Sequence, residues 1–389
     1  MTDVNRVHEI LETLIGFDTV SARSNMALIG WVRDYLARHG VESSVIPNAE
    51  GTKANLYATL GPKRAGGVVL SGHTDVVPVE GQKWSSEPFR MQRRDGRFYG
   101  RGTADMKGFI ACVLAAVPDF LAAKLATPIH LAFSYDEEVG CIGVPHLLAR
   151  LVRDLPKPAA AIIGEPTMMR VVTGHKGLAA WRTVFTGVEA HSSRIEEAVS
   201  AIFAASRFIE YLQGVAKELR EGAKDPAFEP PFTTINIGRI MGGQAINIVP
   251  GQCTIEWEFR PLPSTDWEAL GARIRAYVEG ELRSALKRKH PAADVELIQL
   301  AGGPGLTPEP NSIAEALARK LTGSNRSGTV AYGTEAGLFQ RTGISSVVCG
   351  PGDIEQAHKP DEFVALDQLA QCAAFLAKLE DWAAGSPEF

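Results

Sequence analysis

The sequence predicts an α/β protein in which a sheet covered by helices on both faces is interrupted by a smaller α+β insertion. Three observations carry this. Short apolar runs without polar alternation recur along the chain: NLYATL (55–60), GVVLSG (67–72), IHLAFS (129–134), AAAIIG (159–164) and SSVVCG (345–350). Strands of that kind, separated by helical stretches, belong in a sheet covered on both faces. The middle of the chain alternates instead, with Ile255, Trp257 and Phe259 on one face and Thr254, Glu256, Glu258 and Arg260 on the other. That is the pattern of a sheet with one wet face. Finally, 389 residues suggest about two domains, on a prior of roughly 150 residues each.

The elements follow in order. Val4, Val7, Ile10, Leu11, Leu14 and Ile15 fall on one face at helical spacing. Leu28, Ile29, Trp31, Val32, Tyr35 and Leu36 repeat the pattern, and Gly40 stands where a helix C-terminus takes a left-handed residue. Buried strands then alternate with helices expected over 106–124 and 140–152. GLAAWRTVFTG (177–187) starts a second pattern. A helix over 195–213, strands at 232–240 and 253–261, a helix over 266–287 and a strand at 295–300 follow it. The order β-α-β-β-α-β is the split arrangement of ferredoxin-like folds. After the Gly/Pro-rich AGGPGLTPEP, helix–strand alternation resumes. The expected domains are 1–179 with 296–389, and 180–295 between them. The closing GSPEF reads as a cloning remnant and carries no fold argument.

Hydrophobic residues make up 45% and charged residues 22%, ordinary for a soluble globular protein. A net charge of −5 gives no basic footprint for nucleic acid. RMQRRDGR (90–97) and KRK (287–289) read as solvated faces. No apolar run approaches a membrane span, and no basic segment with an apolar core opens the chain, so no signal peptide is expected. Cys112, Cys141, Cys253, Cys349 and Cys372 are odd in number and lack C-x-x-C spacing. Buried, reduced thiols in a cytoplasmic protein are expected.

Chemistry gathers where strands end. VVLSGHTD ends in His73 and Asp75, LAFSYDEE in Asp136, Glu137 and Glu138, and AIIGEPT in Glu165. Asp105 sits in the glycine-rich GRGTADMKG, and His358 in the polar QAHKPDE. In open α/β sheets ligands bind beyond the carboxyl ends of the strands. Any one of these acids could be no more than a helix cap; six at one edge would repel and raise one another's pKa. A cation relieves this, and two His with several carboxylates suit Zn²⁺, with Co²⁺ or Mn²⁺ also possible. Two metals sharing one bridging carboxylate would use all the ligands. GRGTAD departs from the dinucleotide fingerprint by placing Asp105 where the last glycine belongs.

Together, GHTDVVP, GRGTADMKG, DEEVG, GEPT, GVEAHSS and AHKPDEF resemble the co-catalytic di-zinc deacylases. That family includes acetylornithine deacetylases, succinyl-diaminopimelate desuccinylases, aminoacylases and carboxypeptidases. Residues 238–263 and 332–340 look most like the acetylornithine deacetylases. The resemblance implies a zinc-peptidase-like catalytic domain, a mixed sheet between helices, and a ferredoxin-like lid and dimerisation domain. It implies that His73 and Glu165 hold one zinc, Glu138 and His358 the other, and that Asp105 bridges them. By the same resemblance Asp75 orients the first imidazole, Glu137 is the general base, and His191 is a lid histidine that dimeric members supply from the neighbouring subunit. A cis bond is implied at Asp105–Met106. The reaction implied is hydrolysis of an N-acyl-L-amino acid, foremost N2-acetyl-L-ornithine, by a cytoplasmic homodimer joined through the lid. A desuccinylase, a broader N-acyl-amino-acid hydrolase or dipeptidase, and a non-catalytic metal-binding protein are the alternatives. For the substrate carboxylate the candidates are Asn247, Arg260 and the backbone around Gly333–Thr334; Arg260 could equally pair with Glu256 or Glu258. After AHSS the sequence is expected to enter a helix at once, without the longer loop of acetylornithine deacetylases.

Overall fold

The computed structural model describes residues 4–385. Val4 is described in its backbone alone, and residues 386–389 of the closing GSPEF lie outside the described residues. The first part of the chain forms α1 (Val4–Ile15), α2 (Met26–Arg38), β1 (Ser43–Pro47), β2 (Ala54–Leu60), β3 (Val68–His73), β4 (Gln92–Arg94) and β5 (Arg97–Tyr99). Then come α3 (Lys107–Ala122), β6 (Ile129–Ser134), α4 (Val144–Arg153), β7 (Ala160–Pro166) and β8 (Val171–His175). The middle forms β9 (Leu178–Thr186), α5 (Ala201–Glu221), β10 (Thr234–Gly242), β11 (Gln252–Arg260), α6 (Trp267–Ala276), α7 (Arg283–Lys289) and β12 (Asp294–Gly303). The last part forms α8 (Ile313–Thr322), β13 (Ser327–Val330), α9 (Ala336–Arg341), β14 (Ser345–Gly350), β15 (Phe363–Ala365) and α10 (Leu366–Ala384).

The chain divides into two compact units. The larger comprises the chain up to Gly174, Leu306–Thr329 and the chain from Thr334 on; the smaller comprises His175–Gly305 and Val330–Gly333. The smaller unit therefore starts five residues before 180, runs ten past 295 and takes in Val330–Gly333 besides.

The larger unit is built on an eight-stranded mixed sheet of order β1-β2-β6-β3-β7-β14-β8-β13. Its centre is parallel: β6 pairs β3, β3 pairs β7, and β7 pairs β14. β2 joins β6 antiparallel, as β8 joins β14. Every residue of β3, β6 and β7 is buried, which is why these strands read as unbroken apolar runs. The expected face of α1 (Val7, Ile10, Leu11, Leu14 and Ile15) packs into the same core as Leu70, Phe109, Ile110 and Leu131. Each such Leu, Ile or Phe contributes about 1.5–3 kcal/mol over its exposed state. Gly40 takes φ +73 after α2, as its position there requires. β4 and β5 form a small separate sheet with β15. In it the basic 90–97 segment lays Arg94 over Tyr99 at 4.0 Å and Arg97 over Phe363 at 4.2 Å. The guanidinium groups cover aromatic faces, the arrangement a solvated cationic surface adopts.

The smaller unit has a four-stranded antiparallel sheet of order β10-β11-β9-β12. With two helical segments this is the ferredoxin-like order predicted from β-α-β-β-α-β. Trp181, Phe185, Ile255, Trp257 and Phe259 form its core with Phe208 and Ile274. The helix after AHSS departs from expectation. Ser192–Glu197 is a 3-10 turn, Val199 bridges back to Val188, and α5 begins only at Ala201. The bridge keeps the backbone extended, and the Ser200 side chain then accepts from Phe203 N as a cap. Over 266–287 the helical pattern is also broken, by one π-helical turn at Tyr277–Leu282. No helix among the described residues is long and apolar enough to cross a membrane.

Candidate metal centre

Three parallel strands deliver the charged residues to one edge. β3 ends at His73, β6 leads into Asp136–Glu138, and β7 carries Glu165 next to its end. Register sets His73 opposite Ser134, and neighbouring strands lie only about 4.8 Å apart, so these residues converge. Asp105 closes the turn before α3, and its peptide bond to Met106 is cis. Within that turn Gly102 takes φ +86, and a Cβ there would stand 2.9 Å from Val76 Cγ1. His358 lies in the loop before β15, with φ +64.

The two imidazoles face opposite oxygens of one carboxylate. His73 Nε2 is 3.0 Å from Asp105 Oδ1 and 3.7 Å from Glu165 Oε1. His358 Nε2 is 3.3 Å from Asp105 Oδ2 and 3.0 Å from Glu138 Oε2. Among the described residues, His73, Glu137 and Glu165 offer ligand atoms within 4.8 Å of one another, and so do His73, Asp105 and Glu138. This nitrogen/oxygen donor set, with one carboxylate between two histidines, fits a pair of divalent cations. Glu137 falls in the first group, so distance alone does not separate it from the ligands.

Electrostatics argue the same way. Burial pushes Glu137 up to about 8 and Glu138 up to about 7, with the other carboxylates adding to the rise. Burial likewise raises Glu165. Burial would raise Asp105 too, but hydrogen bonds from His358 and His73 outweigh it and hold this carboxyl low. Hydrogen bonds to Asp105 and Glu138 push His358 up to about 10. Side chains this close share protons or share cations.

Asp75 is placed differently from the expected carboxylate–imidazole contact. His73 Nδ1 donates to the backbone carbonyl of Asp75 at 2.9 Å, while the nearer carboxylate oxygen stands 3.7 Å away. β3 ends at His73, so strand alternation no longer dictates where the Asp75 side chain points. A carbonyl only accepts, so Nδ1 carries the proton and Nε2 is the nitrogen turned to the acids. The Asp75 carboxylate instead accepts from Ser21 Oγ at 2.7 Å, Glu137 N at 3.1 Å and Glu138 N at 3.3 Å. It pins the turn that carries both glutamates.

The remaining candidates belong mostly to the smaller unit. His191 is exposed, and its Nδ1 stands 2.8 Å from Ser193 Oγ and accepts from Ser193 N. Ser192 N donates to the Asn247 carbonyl at 2.9 Å, which makes Asn247 and His191 neighbours. Arg260 pairs with Glu258 at 3.0 Å, while Glu256 pairs with Arg182 at 2.8 Å. A Cβ at Gly333 would meet the Lys176 carbonyl at 3.3 Å. Thr334 is buried, and its hydroxyl accepts from Ala336 N at 3.0 Å at the start of α9.

Sequence reasoning missed several residues. Ser21 carries no motif of its own. Arg101 and Glu362 stand inside GRGTADMKG and AHKPDEF, yet nothing in a sequence marks a charged pair as 1% exposed. Glu335, at the start of α9, is buried. Neither of its carboxyl oxygens has a hydrogen-bond partner, although the Ser71 and Ser134 hydroxyls lie nearby. Burial pushes its carboxyl up to about 7. Cys141 donates its thiol to Glu137 Oε1 at 3.4 Å.

The chain matches the family described as peptidase family M20/M25/M40 over residues 69–380. It is 34% identical over 373 residues to the acetylornithine deacetylase of Myxococcus xanthus, covering 95% of each chain. In fold it is similar to the M20 family metallo-carboxypeptidase Sso-CP2 from Sulfolobus solfataricus. That structure gives a TM-score of 0.79 at 17% identity, covering 97% of this chain and 99% of the other. It is also similar to the YXEP protein of Bacillus subtilis, described as a dinuclear metal binding peptidase, with a TM-score of 0.66 at 16% identity over 99% of each.

Proposed function

The chain belongs to peptidase family M20/M25/M40, a family of metal-dependent hydrolases, and from that premise we propose that it hydrolyses the amide of an N-acyl-L-amino acid. The observation that carries the reading is the Asp105 carboxylate set between His73 and His358 and ringed by buried glutamates. In this reading His73 and Glu165 hold one cation, Glu138 and His358 the other, and Asp105 is shared. Two Zn²⁺ ions, with Co²⁺ or Mn²⁺ as substitutes, supply the Lewis acidity that acidifies a water and polarises the amide carbonyl.

The protein's own groups carry the rest. Glu137 takes the proton of the attacking water and passes it to the leaving amine, a role its raised carboxyl pKa favours. Asp75 holds the Glu137 and Glu138 backbone in place. His191 is the donor for charge that develops on the amide oxygen; losing such a donor costs about 10²–10³ in rate. Asn247, Arg260, Gly333 and Thr334 are the groups assigned to the substrate carboxylate.

The substrate is N2-acetyl-L-ornithine, which places the reaction at the ornithine-forming step of arginine biosynthesis. Support comes from relatives with that name along nearly the whole chain. Five free cysteines, four of them buried, suit a reducing cytoplasm. The reading includes a homodimer through the smaller unit. β10 is an edge strand there, and Ile195, Phe203, Ile240 and Ile246 are exposed apolar residues of the same unit. A monomeric elution profile with full activity would remove the cross-subunit role of His191.

The deciding experiment is a hydrolysis panel on zinc-loaded protein with N-acetylornithine, N-acetylmethionine, N-acetylcitrulline, N-succinyl-diaminopimelate and a dipeptide. Highest kcat/KM on N-acetylornithine is expected. Preference for the succinyl substrate or the dipeptide overturns the substrate, and no turnover of any of them overturns the reaction.

A further inference from the structure

His358 and Asp105 must stand in a fixed relation to share a cation, yet neither lies on a strand. His358 and Asp361 both take positive φ, +64 and +56, within a loop of five residues from His358 to Glu362. Left-handed backbone at two non-glycine residues persists only where the surroundings over-determine it. Here they do. The Glu362 carboxylate accepts from Ala104 N at 2.9 Å, from Asp105 N at 3.0 Å and from Gly102 N at 3.0 Å. Its Oε2 also takes Arg101 Nη1 at 2.7 Å. One carboxylate on the His358 loop thus collects three backbone amides of the Asp105 turn.

Arg101 continues the network. It donates to the Lys359 carbonyl at 3.3 Å and to Gln82 Oε1 at 2.6 Å, and the Trp84 ring lies 5.0 Å from it. Gln82 in turn donates from Nε2 to the His358 carbonyl at 2.9 Å. Ser85 N and Oγ both donate to Asp361 Oδ1 at 2.9 Å. Both partners of the Arg101–Glu362 pair are only 1% exposed. A buried pair is poor evidence for stability on its own, because desolvation offsets the attraction. Its use is to fix geometry, and each of its hydrogen bonds ends on the Asp105 turn, the His358 loop or the Gln82 segment.

We infer that Glu362, paired with Arg101 and working with Gln82, which ties Arg101 to the His358 carbonyl, is a positioning residue that holds His358 at the distance from Asp105 needed for the cation shared by His358, Glu138 and Asp105. The inference rests on the two-cation reading above. His73 and Glu165 receive no bond from the clasp, which reaches the cation on that side only through the shared Asp105, whereas it reaches the other through both Asp105 and the His358 loop. Groups that orient metal ligands change metal affinity by about 10–100-fold when removed.

The test is a titration of metal-stripped full-length protein with Zn²⁺ alone, followed by calorimetry and by metal analysis after dialysis against limiting zinc. Wild type is expected to take two equivalents. Glu362→Gln, which keeps shape but loses the charge that pairs with Arg101, is expected to keep one equivalent at near wild-type affinity. Its other equivalent should weaken by about 10–100-fold. Two wild-type equivalents in the variant overturn the inference, as does equal weakening of both, which marks a general structural role. Wild type binding fewer than two equivalents overturns the two-cation reading and the inference with it. If Glu362→Gln does not fold, Gln82→Ala decides. One-sided weakening supports the clasp, and none or equal weakening refutes it.

Discussion

His73 and His358 face the same carboxylate from opposite sides, but the chain holds them by different means. His73 closes a strand buried at every residue, between two parallel neighbours, and its side chain is 1% exposed. His358 stands in a loop with left-handed backbone, and its side chain is 55% exposed. The first histidine is placed by a hydrogen-bonded ladder that many apolar sequences could build. The second is placed by a few named side chains: Glu362, Arg101, Gln82 and Ser85. One half of the centre is therefore tolerant of sequence and intolerant of charge loss. The other half is the reverse.

The largest effect expected is on the turn both halves share. Glu137→Ala should lower kcat by about 10²–10⁴ while two zinc ions remain bound, read by steady-state kinetics and metal analysis. A retained rate would remove Glu137 as the base and return it to the ligands, among which its distances also place it. Next is the asymmetry itself. His73→Ala leaves Glu165 and Asp105 buried without their cationic partner, which should cost on the order of 3–5 kcal/mol in zinc-free protein. His358→Ala also takes an imidazole from Asp105 and Glu138, but at a position half open to water that screens them, and should cost less, about 1 kcal/mol. Urea unfolding of the two variants measures the difference, and equal costs would break the comparison.

The same contrast explains what the sequence made legible. The strand-borne half was readable, because apolar runs ending in GHTD, DEE and GEPT announce both the ladder and its charged ends. Asp105 and His358 were readable as motif residues, but what holds them was not. Arg101 reads as one more surface cation, and only the fold sets it 2.7 Å from Glu362 across 261 positions of chain. Asp75 shows another limit. The resemblance gave it the task of orienting the first imidazole, but the strand stops at His73 and the Asp75 backbone carbonyl, not the carboxylate, takes the closest contact. In the smaller unit the alternating sheet was legible. The Arg260 contact was not, because a polar face offers several equivalent carboxylates and sequence does not choose among them. Nor was the delayed start of α5, set by the pairing of Val188 with Val199.

Acid should reach the sheet before it reaches the loop. His130 lies near the start of β6, the strand that leads to Glu137 and Glu138. Its Nε2 donates to the Gly66 carbonyl at 2.9 Å, and its Nδ1 stands 3.0 Å from Thr59 Oγ1. Burial pushes its pKa down to about 4, so the fold favours the neutral ring. The unfolded chain then binds more protons between pH 6.5 and 4, and stability falls as pH falls through that window. Above 6.5 the contribution is complete; below 4 it is lost, on the order of 3 kcal/mol in all. His358, held up at about 10 in metal-free protein, carries its charge throughout the window. The raised Glu137, Glu138 and Glu335 carboxyls act in the opposite sense over the same window, so urea unfolding at pH 7 and 4.5 should show the His130 contribution as the difference between wild type and His130→Gln, with wild type the more weakened by acid. An unchanged pH slope in that variant would place the acid sensitivity elsewhere.

The smallest effect expected tests whether the strand-borne half has a clasp of its own. Ser21 donates to Asp75 Oδ2 at 2.7 Å, and Val20 bridges to Val76 alongside it. Asp75 keeps two backbone donors, from Glu137 and Glu138, when the hydroxyl is removed. Ser21→Ala should therefore lower kcat by about tenfold, the worth of one hydrogen bond to a charged group at roughly 1.5 kcal/mol. KM and zinc stoichiometry should stay at wild-type values, and Ser21→Thr should restore the rate. Loss of a zinc ion in Ser21→Ala would be the telling result. It would mean that His73, like His358, depends on side chains reaching in from other segments, and that the ladder of β3 is not enough to hold it.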